Sequence, residues 1–266
     1  MSSSAFRPSP PSVLLASLRA VAALILREMS TRYGRTPGGY VWAILEPLGM
    51  IIILGYAWSL LARSPSLGTS FFLFKATGLL VLGVFTGLGS KVGGALTFSK
   101  RLLHFPQVTW IDALLARFLF NALVLYIVTF LILTGIVMYD SVNIVLRWGP
   151  ILLSMLLVAA FGFGVGCLNA YLFTRFPVWS NIWAILTRPL FIISGVIIIY
   201  EDMPELAQRI LWYNPVLHLT GLMRKGFYPM YHPDYISFTY IGLCTIIPMI
   251  TGLLLLRRYH RQLLYM

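Results

Sequence analysis

The stretch FSKRLLHFPQVTW, residues 98–110, separates two hydrophobic segments of this chain. It holds two cations, a histidine and a proline, although 59% of the chain is hydrophobic and only 11% is charged. A soluble domain carries about 25% charged residues, whereas a bilayer accommodates apolar helices of about 20 residues. The composition therefore indicates an integral membrane protein, in which residues 98–110 connect two spans.

Six hydrophobic segments are long enough to cross a bilayer as helices. They are residues 39–61, 72–90, 111–138, 148–173, 178–200 and 236–256. We therefore predict an all-α membrane protein with six transmembrane helices, which form a domain over residues 39–266. Residues 1–38 are predicted to form an N-terminal tail and a cytoplasmic interface helix.

Lysine and arginine are distributed unequally between the two faces of this six-span arrangement. Twelve lie in the N-terminal segment, the C-terminal tail and the connections on their side, and five lie in the opposite connections. Since positive residues accumulate in cytoplasmic loops, both termini and residues 98–110 are predicted to be cytoplasmic. Residues 201–235 are then external.

The segment before the first span is predicted to be an amphipathic helix that lies in the membrane interface. One stripe of this helix is small or polar and consists of Ser12, Ala16, Arg19, Ala23, Arg27 and Ser30. The other side is apolar and consists of Leu14, Leu18, Val21 and Ile25. Arg32 and Arg35 continue its basic character. A packed helix in a small cytosolic layer is the alternative. A signal peptide is not favoured, because Arg19 interrupts the apolar run and no clear cleavage site follows.

The external connection 201–235 is long for a simple link. Pro204 stands where a helix would start, and Asn214-Pro215 would end that helix before a second apolar piece begins. Two short re-entrant helices could dip into the outer leaflet if protein shields their ends. A folded cap that rests on the membrane fits the same pattern.

Cations inside spans are candidates for function, because a charge in hydrocarbon is costly. Arg188 lies deep in the fifth predicted span, and Arg117 shares a face of the third with Asn121. Lys75, near the outer end of the second span, is expected to snorkel to the interface. Such cations suggest an anionic or heavily hydroxylated substrate.

Aromatic residues surround the last two spans and their connection, among them Trp179, Trp183, Trp212 and Tyr213. Residues of this kind form interfacial belts, and some could stack on sugar rings along a conduit. With Arg188, Arg117 and Asn121 they are the candidates for a translocation path.

Two acids lie near cytoplasmic ends of spans. Glu46 is expected to pair with Arg32 or Arg35, and Asp112 is expected to form a capping box with Thr109 at the start of the third span.

Both cysteines, Cys167 and Cys244, fall in apolar segments, and the histidines are scattered, so neither a disulfide nor a metal site is predicted. The sequence contains no phosphate-binding loop of the Gly-x-x-x-x-Gly-Lys-Ser/Thr type. Any use of ATP would therefore need a second chain.

Three stretches in this order resemble the membrane subunits of ABC-2 type exporters, specifically the branch that exports capsular polysaccharide. REMSTRYGRTPGGYVWAILEPLGM, residues 27–50, is similar to the family's basic-tyrosine-glycine lead into a first span with Glu-Pro. Residues 98–110 stand where the family places its coupling helix. YEDMPELAQRILWYNPVLHLTGLMRKGFY, residues 200–228, resembles the family's pair of outer re-entrant helices.

The resemblance implies a homodimer in which each subunit pairs with a separate ATPase that binds ATP and Mg, while this chain binds no cofactor. The substrate would be a lipid-linked polysaccharide that crosses the inner membrane of a Gram-negative bacterium and passes to a periplasmic adaptor and an outer-membrane channel. Branches that export O-antigen or teichoic acid share this layout.

Residues 98–110 are accordingly predicted to be a coupling helix that docks on the ATPase. Its docking residues are Lys100, Arg101, Leu102, Leu103, His104, Phe105 and Pro106. The leucines and the phenylalanine would fill an apolar groove, and the two cations would meet acids at its rim or membrane phosphates. A basic loop that is only held to lipid by those cations is the alternative.

Two other functional classes have specific requirements in sequence. An ion-coupled secondary carrier needs paired acids inside its spans, whereas Glu46 and Asp112 lie near cytoplasmic ends. An intramembrane enzyme needs a His/Asp or Ser/His set at one depth, and the sequence shows none. Nucleic-acid binding is disfavoured because the cations are dispersed beside hydrophobic segments, a pattern that fits anionic lipid.

Overall fold

A computed structural model describes residues 13–33, 38–105, 108–140 and 145–264. Every regular element in these ranges is helical. The α-helices are α1 Val13–Tyr33, α2 Gly39–Leu61, α3 Phe71–Gly93, α4 Ala95–Ser99, α5 Trp110–Tyr139, α6 Trp148–Arg175, α7 Trp179–Thr187, α8 Leu190–Ile193, α9 Glu205–Leu211, α10 Pro215–Phe227 and α11 Phe238–Leu264. The predicted tail up to Ser12, Arg35 and Pro106 lie outside the described residues.

Five described helices are long and apolar enough to cross a membrane. They are Val41–Leu61, Phe71–Gly93, Trp110–Tyr139, Trp148–Arg175 and Phe238–His260. These correspond to the first four predicted spans and the last one. The prediction of an all-helical membrane protein is thus confirmed for the described part of the chain.

Helix α6 lies at the centre of the bundle, between α3 and α11. Glycines allow these close approaches, since a Cβ added to Gly162 would lie 2.9 Å from Leu88 Cβ. A Cβ added to Gly166 would lie 2.7 Å from Val92 Cβ. Small residues at four-residue spacing let helix backbones pack closely in membranes, where apolar burial gives no net driving force between helices.

The predicted fifth span, residues 178–200, is not one continuous helix. Helix α7 ends at Thr187, α8 begins at Leu190, and the chain then turns at Gly195, whose φ is 75°. Pro189 has no amide hydrogen to donate, so a helical hydrogen bond is missing at this position, although Arg188 and Pro189 both keep helical dihedral angles. Within the described range 145–264, neither α7 nor α8 has a buried residue.

The external connection contains the two predicted short helices, α9 and α10, and a 3₁₀ turn at Tyr200–Asp202 precedes them. The boundary falls at Asn214-Pro215 as predicted, because the Asn214 side chain accepts a hydrogen bond of 3.0 Å from Val216 N. Helix α10 is buried against α3 and α6, whereas α9 has no buried residue.

One end of the bundle gathers the elements that were predicted to be cytoplasmic. Helix α1 packs along the first turns of α5, and the rings of Trp110 and His260 lie 6.2 Å apart, which brings the end of α11 to the same place. At the other end, the Ser70 hydroxyl donates to Asp140. The connections that lysine and arginine group together on one face therefore meet at one end of the bundle, and those assigned to the opposite face meet at the other end.

Candidate coupling site and intramembrane cleft

The connection between α3 and α5 is not the regular helix predicted for residues 98–110. Helix α4 ends at Ser99, and tighter turns follow, in which Leu102 N donates to Ser99 O at 2.8 Å and Phe105 N donates to Leu102 O at 3.1 Å. The sequence supplies a reason, because a proline at 106 disfavours helical geometry at the residue before it.

The predicted docking residues divide into an exposed set and a packed set. Arg101, His104 and Phe105 are exposed, and 60% of Phe105 is accessible. Leu103 is buried in a cluster of α3, α5, α6 and α11 side chains, and Leu102 packs partly buried against α1. Neither leucine is therefore available to fill a groove on a partner, which corrects the docking surface inferred from sequence.

Helix α1 packs against α5 with part of its predicted apolar side, since Val21 and Ile25 belong to a cluster with Ala116 of α5. Its buried side chains are Val21, Leu24 and Glu28, spaced as one helical face, whereas Leu18 is 64% exposed. The exposed apolar residues form an adjacent strip and are Leu15, Leu18, Leu26 and Met29. Helix α1 thus has a protein-facing side, an apolar strip suited to lipid, and a polar stripe with exposed Arg19.

Glu28, which sequence reasoning missed, is 1% exposed and pairs with α5. Its Oε1 lies 2.6 Å from Arg117 Nη1 and accepts a hydrogen bond of 3.0 Å from Asn121 Nδ2. Asn121 also donates to Arg117 O at 2.8 Å. The spacing of Glu28 from Val21 and Leu24 was a usable signal, but its partner is 89 residues away in sequence.

Arg27 and Arg117 both contact Phe98, the first residue of the predicted coupling helix. The guanidinium carbons of Arg27 and Arg117 lie 5.0 and 4.2 Å from the centre of the Phe98 ring. Arg27 Nη2 also donates to Phe98 O at 3.5 Å. Cations over an aromatic face are attracted by its quadrupole, so Phe98 joins α1 to α5.

Asp112 forms the predicted capping box with Thr109. The Asp112 carboxylate accepts from Thr109 N at 2.8 Å and, in addition, from the Ser17 hydroxyl of α1. Glu46 is exposed, and its pairing with Arg32 or Arg35 stays a prediction. The side chains of Arg32 and Arg35, its predicted partners, are outside those described.

A cleft of about 1440 Å³ lies between α2, α3, α5 and the break after α7. Its polar lining residues are Glu46, Thr86, Lys91, Asn121, Thr129, Thr187 and Arg188. Most of the other lining residues are apolar, so the cleft is a mainly apolar groove with a few polar side chains.

The predicted path residues do not form one site. Arg188 and Asn121 line the cleft, whereas Arg117 does not and instead pairs with Glu28. Trp179 Nε1 donates to Asn169 Oδ1 at 3.1 Å, and Trp183 Nε1 donates to Ser90 Oγ at 3.0 Å. These two tryptophans therefore fasten α7 to its neighbours.

Trp212 and Tyr213 lie at the outer end, away from the cleft, in an aromatic cluster. Their ring centroids are 5.5 Å apart, and Trp212 Nε1 donates to Tyr235 O at 3.2 Å. Burial raises the pKa of Tyr235 to about 12, so its hydroxyl keeps its proton and donates to Leu217 O at 3.3 Å. The cluster holds α10 to the start of α11.

Two buried cations, Lys75 and Arg224, lie toward the same end. The sequence analysis predicted a different environment for Lys75 and did not single out Arg224. Lys75 is 1% exposed rather than snorkelling, and its Nζ donates to Ile197 O at 2.9 Å. Arg224 of α10 lies with its guanidinium 4.1 Å from the Phe74 ring centre. Among the described side chains, neither has an ion pair.

A family model described as ABC-2 type transporter matches residues 19–228. This chain belongs to the ABC-2 type transporter family. The match includes all three stretches on which the resemblance was based, so that recognition is confirmed. A member of this family is a transport protein, which decides against the enzyme and the ion-coupled carrier.

Relatives of this ABC-2 transporter chain match it over nearly its whole length. The polysialic acid transport protein KpsM of Escherichia coli is 28% identical over 244 residues, 92% of this chain and 95% of the relative. The capsule polysaccharide export inner-membrane protein CtrC of Neisseria meningitidis serogroup A is 24% identical over 248 residues, 93% and 94% of the two chains. The protein BexB of Haemophilus influenzae, named in the same way, is 25% identical over 243 residues, 91% and 92% of the two chains.

Proposed function

We propose that this chain is the permease subunit of an ATP-driven exporter that moves lipid-linked capsular polysaccharide across the inner membrane of a Gram-negative bacterium. The observation that carries the proposal is the match over almost the full length to relatives named for capsule or polysialic acid export. Those names favour capsule over the O-antigen and teichoic-acid polymers whose exporters share the layout.

The permease works with a separate ATPase subunit that binds ATP and Mg. The absence of a phosphate-binding loop from the sequence supports this division of work. The exposed side chains of Arg101, His104 and Phe105 form the docking surface for that ATPase. Energy from hydrolysis then enters this chain mechanically, at the end of the bundle where α1, α5 and α11 meet.

Two copies of the chain form a homodimer, and the cleft faces the translocation path. Its polar side chains, among them Glu46, Asn121 and Arg188, support this arrangement because they would otherwise meet hydrocarbon. Arg188 contacts anionic groups of the polymer. After the membrane, the polymer passes to a periplasmic adaptor and an outer-membrane channel, as the resemblance to capsule exporters implies.

Residues 178–200 cross the membrane as the fifth of six spans, and this span is discontinuous. Trp183 contacts Ser90 near one end of α3, and Ile197 contacts Lys75 near the other. At 1.5 Å per residue these two points on α3 are about 22 Å apart, which is most of the hydrocarbon thickness. Irregular backbone is tolerated at this depth where protein buries it, and Ser194 and Val196 are fully buried.

Helix α10 is a re-entrant helix of the outer leaflet, and α9 lies at the surface before it. In support, the Ser154 hydroxyl of α6 donates to Leu219 O at 2.8 Å, and Ser154 stands about 9 Å inside the outer end of α6. The Asn214 cap and the contacts of Arg224 satisfy polar groups that hydrocarbon could not.

Deletion and complementation test the proposed function. A strain that lacks this chain should retain its capsular polymer inside the cell, and the wild-type chain should restore the polymer to the surface. A tagged copy should co-purify an ATPase subunit from detergent extracts. Normal surface polymer in the deletion strain would overturn the proposal.

A further inference from the structure

Phe98 stands at the junction of three elements, immediately before the exposed docking residues. It belongs to α4, and its ring lies between Arg27 of α1 and Arg117 of α5. Only Ser99 and Lys100 lie between it and Arg101, the first exposed residue of the docking surface. A displacement of that surface must therefore move Phe98 against both arginines.

The next contacts lead from these arginines to the cleft. Arg117 is paired with the buried Glu28 at 2.6 Å, and the same Glu28 oxygen accepts from Asn121 at 3.0 Å. Asn121 is also a lining residue of the cleft. Glu28 thus contacts both the arginine that lies against Phe98 and the amide that faces the cleft.

Helix α1 is fixed to α5 at a second level, where Ser17 donates to Asp112. Asp112 is held in turn by Thr109, which lies near the end of residues 98–110. With contacts at residues 17 and 28, about 16 Å apart along α1, the helix cannot slide or rotate on α5 without breaking one of them. Both contacts tie α1 to α5.

We propose that Glu28 and Arg117 are positioning residues, whose ion pair makes α1, the docking segment and α5 move together and so carries motion from the ATPase to the cleft. The inference rests on the proposed function, because it assigns a route for the energy of that exporter. A buried ion pair is a poor source of stability, since apolar residues of similar volume often replace one without loss. An ion pair does, however, depend on the distance and orientation of its two side chains. It therefore suits a link between helices that move together.

Neutral replacement of the pair tests the proposal in the complete exporter, in a strain without the chromosomal copy. The double variant Glu28→Gln with Arg117→Met removes both charges, fills the same space and lets residue 28 still bond Asn121. Four quantities are measured: membrane abundance, co-purified ATPase, ATP hydrolysis and surface polymer. Abundance, co-purification and hydrolysis should stay near wild type, while polymer exported per ATP falls about tenfold, as is usual for lost coupling between sites.

Two further variants keep the test specific. Arg117→Lys leaves a cation within reach of Glu28 and Phe98 and should retain most of the coupling. The matched control is Glu205→Gln with Arg209→Met, the same chemical change at an exposed ion pair of 3.8 Å on α9. That change should leave polymer per ATP unaltered, because exposed pairs contribute little.

Three results would overturn the proposal. One is wild-type polymer per ATP in the neutral double variant. Another is a loss of export in proportion to lost ATPase, which would make the pair part of docking. The third is failure of every variant of the pair, Arg117→Lys included, to accumulate, which would make it a folding requirement. Failure of the proposed function looks different, because the wild-type chain would then neither retain an ATPase nor export polymer.

Discussion

Arg188 sits in the break between α7 and α8, at the wall of the cleft. Pro189 creates that break, and the result is an exposed cation at a depth where the sequence otherwise supplies apolar residues. Its position fits contact with an anionic polymer.

We expect Arg188→Ala to reduce surface polymer by about tenfold, because a lost charge-assisted contact of 1.5 kcal/mol or more changes an equilibrium by about that factor. Surface polymer and membrane abundance are measured together by immunoblotting. Arg63→Ala, at an exposed arginine between α2 and α3, is the control for loss of a charge. Normal export by Arg188→Ala would assign Arg188 to structure.

Asn214 shows how one residue can fasten several parts of the outer region. Its side chain caps α10 and donates to Ile193 O at 3.0 Å and to Ser194 Oγ at 2.9 Å. Thr220 donates to Ser194 O at 2.9 Å as well. The turn after α8 is therefore held by α10 and, through Lys75, by α3.

Asn214→Ala should destabilise the protein by about 2 kcal/mol, from the lost cap and the buried carbonyl left without its donor. The expected observation is a lower melting temperature of the purified chain in detergent. Asn181→Ala, at an exposed asparagine of α7, makes the same change without these contacts and should melt like wild type. Equal melting of both variants would contradict this account of the turn.

At the level of elements, the starts of helices could be predicted from the sequence. The contacts between helices that are far apart in sequence could not. Asn214-Pro215 and Thr109 with Asp112 placed helix starts correctly because capping depends on residues two or three apart. The break at Pro189 was missed because the hydrophobicity of residues 178–200 suggested one helix. The burial of Leu103 and the partner of Glu28 depend on how α1, α5 and α11 pack, and no local pattern records that.

Substitutions at Phe105 and Leu103 test which side chains of residues 98–105 dock on the ATPase. Phe105→Asp should weaken ATPase co-purification by at least about tenfold, since burying a Phe in an interface is worth about 1.5–3 kcal/mol. Leu103→Asp should instead lower membrane abundance, because it places a charge in the chain's own core.

Met230→Asp is the matched control, since Met230 is 92% exposed at the opposite end of the molecule. It should leave ATPase co-purification unchanged. Co-purification at wild-type levels with Phe105→Asp would mean that the segment is held to lipid rather than docked.

For the molecule as a whole, the decisive question is whether residues 178–200 cross the bilayer. Five crossings would place the end of α11 opposite residues 98–105, whereas six crossings place them together. The contact of Trp110 with His260 at 6.2 Å, and the packing of Leu103 against Leu256, put both at one end of the bundle. These contacts support the proposed count of six crossings.

Single cysteines decide the number of crossings in intact cells. The background carries Cys167→Ala and Cys244→Ala, and the probe positions are His104, Asp202 and Gln262, all of which are exposed. Ser99 is unsuitable as a probe because it is buried.

We expect Asp202→Cys to react with a membrane-impermeant maleimide added outside, because the discontinuous span carries it to the periplasmic face. His104→Cys and Gln262→Cys should react only after permeabilisation. Protection of Asp202→Cys in intact cells would show that α7 and α8 return to the cytoplasmic face.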